Sequence, residues 1–203
     1  MQISPLVLQG RLVRLEPLSE AHAAGLAQIG MDENIWRFML YGNIQTEAEM
    51  LEWVREMLAR QQRGADLPFA VIHLPSGQVA GATRYLDIRL DHRGLEIGGT
   101  WYGAEYRRTG VNTETKYLLL RHAFETLGCI RVQIKTDLLN VRSQTAIERL
   151  GAVKEGVLRK HTIVPGGRVR DSVIYSILDD EWPQVKARLE ELMQAYNPAA
   201  ADG

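Results

Sequence analysis

Cysteine is almost absent from this chain: Cys129 is the only one in 203 residues. That excludes an internal disulfide and a zinc cluster built on several thiolates, and it fits a reducing compartment. Cys129 lies between Gly128 and Ile130 at an expected strand start, where a small buried residue is the better reading than a nucleophile. Neither sign of charge dominates, since 24 Lys and Arg stand against 25 Asp and Glu for a formal net charge of -1. A general attraction to nucleic acid is therefore not expected, and any anion site must be local. Nowhere is there an apolar run of the roughly 18 residues that a membrane-spanning helix needs. Met1 to Gly10 has no charged stretch leading into an apolar core, so a soluble, cytoplasmic protein is expected. There is neither a Gly-x-x-x-x-Gly-Lys-Ser/Thr loop nor a Gly-x-Gly-x-x-Gly turn after a strand, which disfavours a nucleotide-binding protein. Repeats, low-complexity tracts and linkers are missing too, and no metal-ligand set is assigned. With 45% hydrophobic residues, the length suits a single domain over 1–203, with a core at about 8–195 and a frayed tail at 197–203.

What is present is an alternation of strand and helix patterns. Residues 11–16 alternate as a strand, and Pro17 and Ser19 open a helical segment reaching about Ile29. A loop through Trp36, Arg37, Phe38, Met39 and Tyr41 follows. Over 46–63, Met50, Trp53, Val54, Met57 and Leu58 recur at helical spacing, and Thr46 with Glu49 makes a capping box. Residues 69–74, the turn Pro75-Ser76-Gly77 and 79–88 read as a hairpin, and 95–102 extends it into an antiparallel meander. Gly98-Gly99 in that last strand marks either a kink or a bulge, and a bulge would free N–H and C=O groups for a ligand that itself resembles a peptide. A helix over 113–127 stops at Gly128, and 130–135 alternates as a strand expected to lie parallel to the meander's last one. Asn140 caps a short helix closed by Gly151, residues 157–164 and 169–178 flank the turn Pro165-Gly166-Gly167, and a final helix starts near Glu181.

The most informative stretch is Tyr106-Arg107-Arg108-Thr109-Gly110-Val111-Asn112-Thr113, two arginines and a turn glycine directly before a helical segment. Helix N-termini carry unsatisfied N–H groups and a partial positive charge, so the stretch reads as a phosphate cradle, the bland alternative being a solvated basic turn. The spacing Arg107-x-x-Gly110-x-Asn112 resembles the pyrophosphate loop, Arg/Gln-x-x-Gly-x-Gly/Ala, of the GCN5-related N-acetyltransferases, with Asn112 in place of the last small residue. Asn140-Val141-Arg142-Ser143, Ala146-Ile147, Leu150-Gly151-Ala152 and Glu155-Gly156-Val157-Leu158-Arg159 look like blocks of the RimJ/RimL-type branch, which acetylates protein N-termini and other primary amines. The likeness covers roughly residues 8–190. It implies an α/β fold in three layers, with a mixed, mostly antiparallel sheet of about seven strands and helices on both faces.

The resemblance also implies acetyl-CoA, or another short acyl-CoA, as donor. Arg107, Arg108, Thr109, Gly110, Val111, Asn112 and Thr113 would surround the pyrophosphate, the backbone of Trp101 and Tyr102 would follow the pantetheine, and Asn140 and Ser143 would hold its arm and the thioester sulfur. Transfer from a thioester to an amine requires positioning, removal of an amine proton and protonation of the leaving thiolate. Ser143 is the candidate proton donor. For the base, Glu96, His161, Asp171 and a water chain remain open, with Glu96 beside the glycine pair and His161 having a suitable unperturbed pKa. Thr162 stands where the ribosomal-protein branch is expected to carry a glutamate. Trp36, Phe38 and Tyr41 are read as the acceptor-side wall, where aromatic faces could hold an amine. The expected reaction is direct acetyl transfer to a peptide N-terminus or a small-molecule amine, with an antibiotic or polyamine acetyltransferase and a non-catalytic acyl-CoA sensor as alternatives. Neither nucleic acid nor membrane is an expected partner, and a homodimer is left open.

Overall fold

The structure is a computed structural model that describes residue 1 and residues 3–196. The tail expected at 197–203 lies outside the described residues. In chain order the elements are β1 (Leu8–Gln9), β2 (Val13–Pro17), α1 (Ala23–Gly30), α2 (Glu33–Trp36), α3 (Glu47–Gln62), β3 (Leu67–His73), β4 (Gln78–Arg89) and β5 (Gly94–Tyr102). They continue as α4 (Val111–Arg121), β6 (Arg131–Asp137), α5 (Val141–Leu150), β7 (Val153–Ile163), β8 (Val169–Leu178) and α6 (Trp182–Gln194). The strands form one eight-stranded sheet in the order β1-β2-β3-β4-β5-β6-β8-β7. About seven were expected, and the extra one is β1, two residues paired antiparallel with β2 and too short to show a pattern. Every neighbouring pair is antiparallel except β5 with β6.

Alternation along the strands divides the core in two. Val13, Leu15, Phe69, Val71, Tyr85, Leu95, Ile97, Val132, Val173 and Tyr175 belong to one cluster, with Leu118, Leu119, Ile147 and Leu189 from α4, α5 and α6. Ala70, Ile72, Ala82 and Trp101 belong to the other, with Leu26 of α1 and Met50, Trp53 and Met57 of α3. Helices thus cover both faces, as the three-layer reading requires.

Local signals explain most element ends. Thr46 Oγ1 accepts from Glu49 N, and the Glu49 carboxylate returns to Thr46 N, so the capping box starts α3. Gly151 ends α5 at φ 100, a conformation open to glycine. The helix expected over 113–127 begins earlier, at Val111, and loosens into a π turn over His122–Thr126. Among the described residues no helix is long and apolar enough to cross a membrane. Cys129 is buried, and burial pushes its thiol up to about 11, away from reactivity.

Candidate active site

The sheet opens in its middle. Strands β5 and β6 pair only through Gly94↔Arg131, Leu95↔Val132 and Glu96↔Gln133. Beyond Glu96, β5 continues to Tyr102 along β4, while β6 continues to Asp137 along β8. The two strands part, and backbone groups on their facing edges have no strand partner. On the β4 side the register jumps from Ala82↔Trp101 to Arg84↔Gly98, which places an extra β5 residue in the ladder. The glycine pair is therefore a bulge and not a plain kink, and Gly99 takes φ 58 with the position of a Cβ only 3.2 Å from Arg84 Nε.

At the open end of this wedge stands the N-terminus of α4. Arg108 is exposed and carries the left-handed conformation of the loop at φ 61, whereas Gly110 is helical at φ -66. Gly110 is small because a Cβ there would lie 3.0 Å from Leu12 Cδ2 and 3.1 Å from Tyr196 Cβ. Arg107 turns inward, its Nη2 lying 2.8 Å from Asp32 Oδ2 and its Nε donating to Tyr102 O at 3.1 Å. Thr109 Oγ1 donates to Tyr106 O and accepts from Val111 N. Val111 and Thr113 are buried and Asn112 half-buried. An anion at this mouth would meet the Arg108 side chain and the first-turn N–H groups, with the helix dipole behind them.

Two residues of α4 that carry no signal in the sequence anchor this mouth. The Glu114 carboxylate accepts three backbone hydrogen bonds at the start of β2, from Arg11 N at 2.9 Å and from Leu12 N and Val13 N at 2.7 Å each. Lys116 is buried without a carboxylate partner among the described residues, and its Nζ donates to Thr100 Oγ1 at 2.7 Å, which in turn bonds Thr83 Oγ1 at 2.8 Å. Burial pushes the Lys116 ammonium down to about 7.

On the α3 side of the sheet, Glu96 is 3% exposed at the apex of the wedge. Its Oε2 receives Gln133 Nε2 at 2.9 Å and Lys135 Nζ at 3.1 Å, and its Oε1 faces Gly98, where a Cβ would lie 3.2 Å away. His161 Nδ1 is 3.0 Å from Ser172 Oγ, and burial followed by the charges of Lys135 and Arg170 lowers its pKa. Asp171 is occupied by Lys160 N, which donates to its Oδ1 at 2.6 Å. Asn140 Oδ1 caps α5 through Ser143 N at 3.1 Å, which leaves the half-buried Ser143 at the helix start next to the end of β6. No group of three His, Cys, Asp or Glu side chains among the described residues could hold a metal ion.

The aromatic residues divide differently from expectation. Trp36 is 3% exposed, its indole donates to Gly30 O at 2.6 Å, and its ring packs 5.2 Å from Trp101 and 6.4 Å from Trp53. It is a core residue beneath the site, because the short helix α2, hidden within the expected loop, turns it inward. Phe38 stays at the rim, where its carbonyl accepts from Arg170 Nη1 at 3.4 Å and its ring lies under Arg37. Tyr41 packs edge-on against Trp53, and the Arg84 guanidinium lies 5.2 Å over its ring. The Trp101 side chain is buried in the same cluster, so only its backbone faces the wedge.

The fold is shared with known proteins. A protein-family model described as "Acetyltransferase (GNAT) domain" matches residues 12–153. A Bacillus subtilis (strain 168) protein named "Putative ribosomal N-acetyltransferase YdaF" is 33% identical over 109 residues, 54% of this chain and 58% of that relative, so the match spans little more than half of the relative's length. The crystal structure of a putative acetyltransferase from T. thermophilus is 41% identical with a TM-score of 0.86, covering 95% of this chain and 99% of that one. A GCN5-related N-acetyltransferase from Brucella melitensis is 30% identical with a TM-score of 0.89, covering 97% and 88%. With the family model spanning well over half of its length and both structures superposing along nearly all of it, the chain belongs to the GNAT acetyltransferase family.

Proposed function

We propose that the protein transfers an acetyl group from acetyl-CoA to a primary amine by direct attack within a ternary complex. The observation that carries this reading is the wedge between β5 and β6 with the α4 N-terminus at its open end. A ligand with amides along its length can bond the free strand edges there while its phosphates meet the helix mouth. In this reading Arg108 and the N–H groups of Asn112 and Thr113 bind the pyrophosphate, with Thr109, Gly110 and Val111 shaping the turn. Arg107 holds the loop to α2 through Asp32 rather than reaching the phosphates. The β5 backbone at Trp101 and Tyr102 follows the pantetheine arm, and Asn140 and Ser143 close the wedge from α5. Phe38 and Tyr41 flank the amine.

The chemistry then needs few groups. Glu96 Oε1, the oxygen not engaged by Gln133 and Lys135, accepts the amine proton directly or through water. The freed amine attacks the thioester carbonyl, the nitrogen loses its second proton to solvent, and the carbon–sulfur bond breaks as the tetrahedral intermediate collapses. Ser143 supplies a proton to the departing thiolate and recovers one from solvent.

Reversing the exposed charge in Arg108→Glu should weaken CoA binding by about 1 to 3 kcal/mol, the range of a charge-assisted hydrogen bond. Titration calorimetry checks this, and an unchanged affinity removes Arg108 from the cradle. For Ser143→Ala, kcat should fall while CoA affinity stays within a few-fold. A positioned proton donor contributes about 10²- to 10⁴-fold, of which water recovers part. Full turnover in the alanine variant removes Ser143 from the mechanism. The reading as a whole is tested by free-thiol release from acetyl-CoA with N-terminal peptides, amino acids, polyamines and aminoglycosides. CoA binding without turnover on any of them would favour a sensor.

A further inference from the structure

Strand β7 carries a distortion that the transfer chemistry does not use. Its pairing with β8 steps from Leu158↔Ser172 to Thr162↔Arg170, so four residues of β7 span two of β8. The surplus forms a wide bulge at Arg159, Lys160 and His161, with Lys160 in the left-handed conformation at φ 50. Asp171 pins the Lys160 N–H, and Ser172, itself bonded by Arg170 Nε at 3.1 Å, holds His161. Together Val157, Leu158, Arg159, Lys160 and His161 line an open concavity on the edge strand.

Around this concavity Arg159, Lys160, Lys135, Arg168 and Arg170 outnumber Glu96, Asp137 and Asp171, whose carboxylate is held by the Lys160 N–H. Lys135 is matched by Glu96 at 3.1 Å, and Asp137 is matched by Arg168 at 2.6 Å and approached by Arg170 at 4.0 Å. Among the described residues neither Arg159 nor Lys160 has a carboxylate within ion-pair distance, and both are exposed. At His161 burial first, and then the charges of Lys135 and Arg170, oppose protonation, while Glu96 favours it. A polycationic acceptor would approach against this field, and an acidic one with it.

The geometry points to an acidic peptide N-terminus as the acceptor, its side-chain carboxylates seated on the Arg159–Lys160 bulge while its α-amine reaches Glu96. This rests on the transferase reading above. From β5 to β7 the sheet crosses three strand intervals of about 4.8 Å, and because Glu96 shares a row with Gln133, Ser176 and Val153 the bulge beyond Leu158 also lies about five residues, or about 16 Å, along the strands. An extended chain at about 3.3 Å per residue covers that diagonal in roughly six residues, so the recognised acidic residues are at about positions 6 and 7 of the peptide. The exposed Val157 and Leu158 beside the bulge, and the free outer edge of β7, suit an extended chain better than a compact small molecule.

The test uses peptides of identical sequence except for Glu, Gln or Lys at positions 6 and 7. Their binding to the CoA-loaded protein is read by fluorescence anisotropy and their acetylation by thiol release. The wild type should bind the Glu peptide about tenfold more tightly than the Lys peptide at low ionic strength, and the gap should shrink with salt. The double variant Arg159→Glu/Lys160→Glu should lose or invert that order. Equal or tighter binding of the Lys peptide by the wild type overturns the inference, as does an unchanged order in the double variant. Charge-dependent binding of the Glu peptide without acetyl transfer would sustain the recognition site and reject the transferase reading, so the two failures are separable.

Discussion

Glu114→Ala should lower the unfolding free energy by about 3 kcal/mol, among the larger effects available to one side chain in this protein. The carboxylate gathers the N–H groups of Arg11, Leu12 and Val13, and truncation leaves all three without an acceptor. Arg11 N lies near the surface and can turn to water, whereas Val13 N is buried and keeps the full penalty. Gly10 belongs to the same device, since a Cβ there would fall within 2.6 Å of the Glu114 carboxyl carbon. Glu114→Gln retains an acceptor oxygen and should lose roughly half as much. Urea denaturation of the three proteins orders them, and an alanine variant as stable as wild type would show that β2 is anchored by other means.

Lys116→Met should act in the opposite direction and stabilise the protein at neutral pH. Burial lowers the Lys116 pKa from 10.5 to about 7 in the folded state, while the unfolded chain keeps the ordinary value. Between those two values the unfolded state binds more protons, so wild-type stability rises as pH increases through that window, and the penalty is fully present below about pH 7. Every tenfold loss of proton affinity corresponds to about 1.4 kcal/mol, and structural relaxation together with the lost bond to Thr100 reduces the gain from methionine to about 1 to 3 kcal/mol. Methionine nearly matches the lysine stem in volume and carries no charge. Melting curves at pH 6.5, 8 and 9.5 should show the variant ahead at the lowest pH and the difference closing upward. A variant that melts lower at every pH, with the wild-type slope, would mean that the ammonium is solvated and not buried.

Features set by neighbouring residues are legible in the sequence. The capping box of Thr46 and Glu49, the cap at Asn140 and the stop at Gly151 depend on three or four consecutive positions and appear where the pattern puts them. The glycine pair is legible only in part, since glycine within a strand marks either a kink or a bulge and the register with β4 decides for the bulge. Features that depend on remote partners are hidden. Glu114 bonds residues 101 to 103 positions away, and on a helix it reads as one more solvated acid. Lys116 gives the same impression. Trp36 reads as a wall because the four-residue helix that turns it inward is too short to leave a periodicity. Strand β7 starts at Val153, four residues before the pattern suggests, because an edge strand exposed on both faces shows no alternation. In the loop before α4, the glycine draws attention as the residue of unusual backbone, while Arg108 holds that conformation.

The wedge also bears on how long the protein lasts. Three residue pairs join β5 to β6, so the eight strands amount to two plates, one of five strands and one of three, meeting along a short seam. An occupant that bonds both free edges serves as the mortar between the plates, and its binding energy adds to the work of unfolding in proportion to the logarithm of its concentration. Proteolytic turnover follows the population of opened molecules. The lifetime of this protein in a cell is then tied to the supply of whatever fills the seam, and a shortage would thin its numbers.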